Sequence, residues 1–167
     1  MCQAWCEWLN DHYNTDVSYE DISEWKIYKF FEGIPKEEVY KPLFEEEFWK
    51  TVTPKLDAIK YMNILNEEGY DIYLCTSTDY RNVRVKFESI VQKYFPYISW
   101  NKVIVCNKKQ MISGDILIDD GVHNLVGGSY LKILLTTPHN RSFDAEGNGI
   151  FRADNWEDIY NIIHLIT

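Results

Sequence analysis

Basic residues are scarce in this chain: 17 lysines and arginines stand against 26 aspartates and glutamates, for a net charge of −9. That shortage excludes an electrostatic grip on DNA or RNA polymers, which requires a basic face to displace counterions. It leaves room for a small phosphorylated ligand, which needs only a few local cations. The four cysteines, Cys2, Cys6, Cys75 and Cys106, show no zinc-type pairing. Cys2 and Cys6 fall on a helical pattern and the other two inside apolar runs, so all four read as buried, reduced thiols. No signal peptide opens the sequence, and no apolar stretch reaches the ~20 residues of a membrane span. A soluble, cytoplasmic protein without a membrane partner is the expectation. GxGxxG is absent, so a dinucleotide fold has no motif support, and no internal repeat or low-complexity segment occurs.

What is present is ample for a core. Hydrophobic residues make up 46% and aromatics 16% of the 167 positions, enough for one packed domain with a small insertion. Residues 2–13 repeat apolar groups at helical spacing through Trp5, Cys6 and Leu9. Residues 14–53 are aromatic and acidic with no strand-like run, and read as short helices. From Thr53, a candidate N-cap followed by Pro54, a helix should run to Glu68 and end at Gly69. "DIYLCT" (71–76), "KVIVC" (102–106), "DILID" (115–119) and "LKILLT" (131–136) read as short buried strands, with a helix over 80–95. Asp154 with Glu157 three places on forms a capping-box pair for the last helix. Buried strands alternating with helices imply an α/β, Rossmann-like parallel sheet, with ligands at the carboxyl ends of its strands.

The polar residues of interest sit at those ends. Thr76 and Ser77 place hydroxyls and exposed N–H groups where a strand leads into a helix, which suits phosphate oxygens. Lys108 or Lys109 could neutralise a phosphate. Asp119 and Asp120 end a strand as adjacent like charges, and a metal such as Mg2+ would explain that crowding. The order hydroxyl, lysine, aspartate pair differs from that of two-component receiver domains, where the acidic pair comes early and the hydroxyl and lysine follow.

That order, with "IYLCTSTD", "VIVCNKKQMISGDILIDD", "FWKTVTPKLDAI" and the tail "LLTTPHNRSF…FRADNWEDIYNII", resembles the haloacid dehalogenase-like phosphatases. Within them the chain resembles the 5'(3')-deoxyribonucleotidase branch, over most of residues 44–163 and again in the first twelve. The resemblance implies a haloacid dehalogenase-like core over 1–13 and 54–167 with a helical cap over 14–53. It implies phosphate binding by Thr76, Ser77 and Lys109, the lysine matching better than Lys108. It also implies a Mg2+ ligand in Asp120, with Asp119 holding the lysine or a metal-bound water. Phe48 and Trp49 would lie near a nucleotide base, or pack inside the cap. Arg141 is a candidate on the same footing as any loop residue. The implied substrate is a nucleoside monophosphate or other small phosphate ester.

The family's first motif, a D-x-D at the end of the first central strand, has no counterpart here. Asp11, Asp16 and Asp21 follow no apolar strand, and Asp57 falls in a helix. The chain therefore resembles a member without its opening strand and nucleophile. Met1 would be an internal methionine of a longer enzyme, or the product of a truncated gene, or the start of a functional non-enzyme. Such a non-enzyme would bind a nucleotide or a protein partner. Hydrolysis is expected to fall by many orders of magnitude without the nucleophile. The gap between segments 71–76 and 115–119 is expected to close by their direct pairing, or to be filled by a second copy in a homodimer.

Overall fold

In the computed structural model, which describes residues 1–167, the amphipathic opening forms α1 (Cys2–Tyr13). Trp5, Cys6 and Leu9 make its buried face, at i, i+1 and i+4. Asn14 ends it in the left-handed region (φ 52°), which asparagine tolerates better than most residues. Residues 14–53 hold no strand; single 3-10 turns alternate with α2 (Lys36–Tyr40) and α3 (Glu46–Thr51). Their apolar side chains gather with α1 into one buried cluster around Phe31, Val39, Phe48 and Trp49, which also takes in Val85. The buried face of α1 thus packs against the segment next to it in the chain.

The next helix, α4 (Leu56–Glu67), starts later than Thr53-Pro54 would have it. Asp57 supplies the acceptor at its first turn: the carboxylate takes Ala58 N–H at 3.0 Å and, from across the fold, Trp156 N–H at 3.2 Å. Gly69, at φ 92°, turns the chain out of α4 as expected, and Tyr70 N–H reaches back to Leu65 O. The chain then enters β1 (Leu74–Thr76). Residues 80–94 are one helical rod, but not a uniform one. A 3-10 turn leads into α5 (Val83–Lys86), then a π turn over Phe87–Val91, then α6 (Gln92–Tyr94). The extra residue of a π turn rotates the remainder of the rod about its axis. Ahead of it Val85 joins the α1 cluster; Val91 at its end and Phe95 beyond it join Met62 of α4.

The remaining elements are β2 (Val103–Val105), β3 (Ile116–Asp119), α7 (Val122–Leu125), β4 (Leu131–Leu135), β5 (Phe151–Ala153) and α8 (Trp156–Ile166). Every strand pairing is parallel, as the sequence implies. β5, with Arg152 at its centre, is too short and polar to read as a strand by pattern alone. Tertiary pairing makes it one, with Ile133 opposite Phe151 and Leu135 opposite Ala153. The cap of α8 is Asn155 rather than Asp154: its side chain accepts Asp158 N–H at 2.9 Å, while Asp158 reaches back to Asp154 N–H at 3.0 Å. Asn155 thus caps a first-turn N–H, and Asp158 holds the N–H just ahead of the cap, so the expected reciprocal pair does not form. No helix is long and apolar enough to cross a membrane.

One expectation fails. The strands form two sheets, β1-β2 and β3-β4-β5, and β1 does not pair with β3. Helix α4 explains why the two do not close up. Its Leu65 packs with Ile133, Ile159 and Ile163 under the larger sheet, and its Met62 packs with Val91, Phe95 and Leu74 beside the smaller one. One helix seated on both sheets fixes their separation, and sliding them together would undo both contacts.

Candidate functional site

The carboxyl ends of β1, β2, β3 and β4 open on a single cavity of about 800 Å³. Thr76, Ser77, Asn107, Lys109, Asp119, Asp120 and His139 line it from the strand ends. Cys2 of α1, together with Trp25, Tyr40 and Trp49 from residues 14–53, lines it from the other side. The polar groups singled out in the sequence are thus brought together, though they do not share one environment.

Asp119 ends β3 and Asp120 is the first residue beyond it; both line the cavity, but their surroundings differ. Asp119 is buried, and both of its oxygens are met by the protein. Oδ2 takes Lys109 Nζ at 2.5 Å, while Oδ1 takes Gly121 N–H at 2.7 Å and Asn124 Nδ2 at 3.0 Å. A Cβ at position 121 would lie 2.9 Å from Asn124 Nδ2 and 3.1 Å from Asp119 Oδ1, so a side chain there would press on this pair. Asn124 is held in turn, its carbonyl accepting Tyr130 O–H at 2.6 Å.

Asp120 faces the cavity, with its side chain 40% exposed. No protein group donates to its carboxylate; His139 Nε2 stands 3.9 Å away. Burial holds the His139 imidazole below its usual range, against the pull of Asp120. The backbone at Asp120 is fixed instead, its carbonyl accepting Asn140 Nδ2 at 2.9 Å. Trp25 sits edge-on to both His123 and His139, with ring centroids 5.2 and 4.9 Å apart, and so closes this corner. Asp120 is the residue of this corner that could hold a cation, though no cluster of three or more His, Cys, Asp or Glu side chains stands there to ligate one. Asp119, with three protein donors on its two oxygens, is the less open of the pair.

On the β1 side Thr76 and Ser77 face the cavity. Ser77 O–H donates to Asn107 Oδ1 at 2.7 Å, and Thr76 Oγ1 accepts Lys86 Nζ at 3.1 Å. Lys109 lines the cavity, whereas Lys108 is an exposed loop residue. Phe48 is fully buried between Trp8 and Trp49 and does not line this cavity. Trp49 does line the cavity, its indole N–H anchored on Leu43 O at 3.1 Å. Arg141 lies outside the cavity, on the surface, paired with Glu20 at 2.8 Å.

Lys86, His139 and Trp25 are not marked as site residues by the sequence pattern. For Lys86 a signal existed: Asn82, Val85 and Lys86 share one side of a helix at i, i+3 and i+4, and the first two are buried. His139 lies in the family-like tail, but nothing local marks a loop histidine as buried.

Comparison with known proteins identifies the family of the chain. A family model described as "5' nucleotidase, deoxy (Pyrimidine), cytosolic type C protein" matches residues 1–167. A 5'(3')-deoxyribonucleotidase of Bacillus subtilis (strain 168) is 31% identical over 164 residues, covering 95% of this chain and 88% of that one. One from Clostridium acetobutylicum is 30% identical over 154 residues, covering 92% and 82%. A putative 5'(3')-deoxyribonucleotidase of Staphylococcus epidermidis is 26% identical over 165 residues, covering 95% and 86%.

Proposed function

The chain belongs to this cytosolic type C 5'-nucleotidase family, and from that membership we propose that its cavity takes the phosphate of a (deoxy)nucleoside 5'-monophosphate. The observation that carries the reading is the meeting of Thr76, Ser77 and Asp120 at the carboxyl ends of parallel strands, around one cavity. The hydroxyls and the N–H groups beyond β1 receive phosphate oxygens. Lys109, held by Asp119, fixes the edge of the cavity between β2 and β3. Asp120 would hold Mg2+, which when bound neutralises charge on the phosphate. The names of the relatives support a nucleotide as the ester.

Turnover is a separate matter. A route through an aspartyl-phosphate needs a carboxylate free to attack phosphorus and a second group to move the proton. The other acids lining the cavity are engaged: Asp119 with Lys109, Glu24 with Lys29 at 2.5 Å and Asp79 with Arg81 at 2.7 Å. Asp120 alone is free, and it is the group suited to metal. We therefore infer that these 167 residues bind the ester without hydrolysing it. The test is phosphate release from a panel of deoxy- and ribonucleoside monophosphates with Mg2+, beside calorimetric binding, using this chain and Asp120→Asn. Binding without release, lost in the variant, is expected. Release that the variant abolishes would overturn the silent reading, and absence of binding would overturn the site.

A further inference from the structure

The turn that follows β4 is tied to the end of β3 by one buried side chain. Asp119 opposite Leu134 is the last pair of the β3–β4 ladder, so Asp120 and Leu135 are the next residues out. Asn140, only 2% exposed, spans these two. Its Nδ2 donates to Asp120 O at 2.9 Å and to Leu135 O at 2.8 Å. Its Oδ1 accepts Thr137 N–H at 3.0 Å and Arg152 Nη1 at 3.4 Å. Both donors and both lone pairs of the amide are thus in use.

Resting on the reading of Asp120 as the residue that holds a cation, we propose that Asn140 is a positioning residue for that carboxylate and that Arg152 locks Asn140. The Asp120 carboxylate has no donor of its own, and His139 Nε2 stands 3.9 Å away. Its placement therefore comes through the backbone. The Asp120 carbonyl has two side-chain contacts, Asn140 Nδ2 and His139 Nε2 at 3.3 Å, and both belong to the turn Pro138–Asn140. Displacing that turn displaces the carboxylate, although Asn140 itself does not line the cavity. Groups that orient a metal-binding residue in this way carry a large share of its affinity.

Arg152 spends its guanidinium on the same turn. Nη1 reaches Thr136 Oγ1 at 3.2 Å as well as Asn140 Oδ1, and Nη2 reaches Asn140 O at 3.3 Å and Phe143 O at 2.7 Å. None of these acceptors is a carboxylate, so the arginine works as a planar set of donors rather than as half of an ion pair. Arg152 stands opposite Leu134, which stands opposite Asp119, in one row across three strands. The fork is therefore fixed to the sheet whose carboxyl end it braces. That accounts for a charged residue at the centre of so short a strand as β5.

The test is titration of Mn2+, as a probe ion, into the full chain, read from the loss of the free-ion electron paramagnetic resonance signal. Variants are checked for folding by circular dichroism and measured well below their melting temperatures. Asn140→Ala should weaken Mn2+ about tenfold, the order expected when the group behind a metal-binding residue is lost. Arg152→Lys keeps the charge but cannot span four acceptors, and should weaken Mn2+ less than Asn140→Ala does. A double-mutant cycle separates positioning from folding. In an Asp120→Asn background, Asn140→Ala should change the remaining affinity by less than about twofold, because the group it positions is gone. If Asn140→Ala does not fold, Arg152→Lys carries the same cycle. Parent-like affinity in Asn140→Ala, or an equal loss in both backgrounds, overturns the positioning role and leaves the cation reading of Asp120 standing. Parent-like affinity in Arg152→Lys overturns the lock. If the parent binds no Mn2+, or Asp120→Asn binds it as the parent does, the cation reading falls and this assignment with it.

Discussion

The two walls of the cavity are built from the same element, the carboxyl end of a short parallel strand, yet they finish differently. At β3 the buried Asp119 has both oxygens met, by Lys109, Gly121 and Asn124, and Asn124 is itself held by Tyr130. At β1 the hydroxyls of Thr76 and Ser77 each have one protein partner, and Lys86 has no counter-ion. Burial accounts for the difference. A carboxylate sealed from water is tolerable only when its lone pairs are met internally, so the β3 wall closes into a complete network. The β1 wall borders open space, where water or a ligand can complete the bonding. A site of this kind needs both walls, one saturated to hold position and one unsaturated to receive the ligand.

The largest effect should come from breaking the saturated wall. Asp119→Ala leaves Lys109 buried without its partner and Asn124 without its acceptor, and should destabilise the fold by about 3–5 kcal/mol. Urea unfolding monitored by fluorescence would show it, and a loss under about 1 kcal/mol would erase the contrast. Lys86→Met should act in the opposite direction at neutral pH, because it removes a cation that the fold leaves without a counter-ion. The sign comes from linkage. Burial, and then repulsion from Lys109, pulls the folded-state Lys86 ammonium down to about 8, below the ordinary 10.5, so between those values the unfolded parent holds more protons than the folded one. The advantage of the variant is thus full below pH 8 and shrinks as pH rises towards 10.5. Burial holds the Cys2 and Cys6 thiols up to about 11, which lowers stability as pH passes from 9 towards that value. Those thiols are common to both proteins, so the difference in unfolding midpoint across pH isolates the lysine. An advantage that grew with pH would contradict the unsaturated wall. Asp120→Asn should be smallest, within about 0.5 kcal/mol by thermal melting, because no donor bonds its carboxylate. A large loss there would mean that Asp120 is structural.

Much of this is legible in order along the chain. The apolar runs mark four of the five strands, Gly69 marks the end of α4, and the polar residues at strand ends point to the cavity. Elements whose cause is distant are not legible in that way. β5 exists because Ile133 and Leu135 lie beside it, the start of α4 is set by Asp57 meeting Trp156, and the α8 cap moves one residue. Within the site, adjacent aspartates look like a matched pair. They differ because Asp119 meets partners from two other segments, whereas no donor reaches the Asp120 carboxylate.

The sequence by itself therefore determined the α/β class, the parallel order of strands and helices, and the family. These depend on local periodicity and on residue types at fixed spacing, which a chain carries before it folds. Only the tertiary structure decided that β1 and β3 stay apart, that the rod over residues 80–94 rotates at its π turn, and which lysine is left without a counter-ion. Whether a buried charge is balanced depends on which segments pack around it. That is settled by long-range contacts such as α4 on two sheets, Trp49 over Lys86 and Lys109 against Asp119.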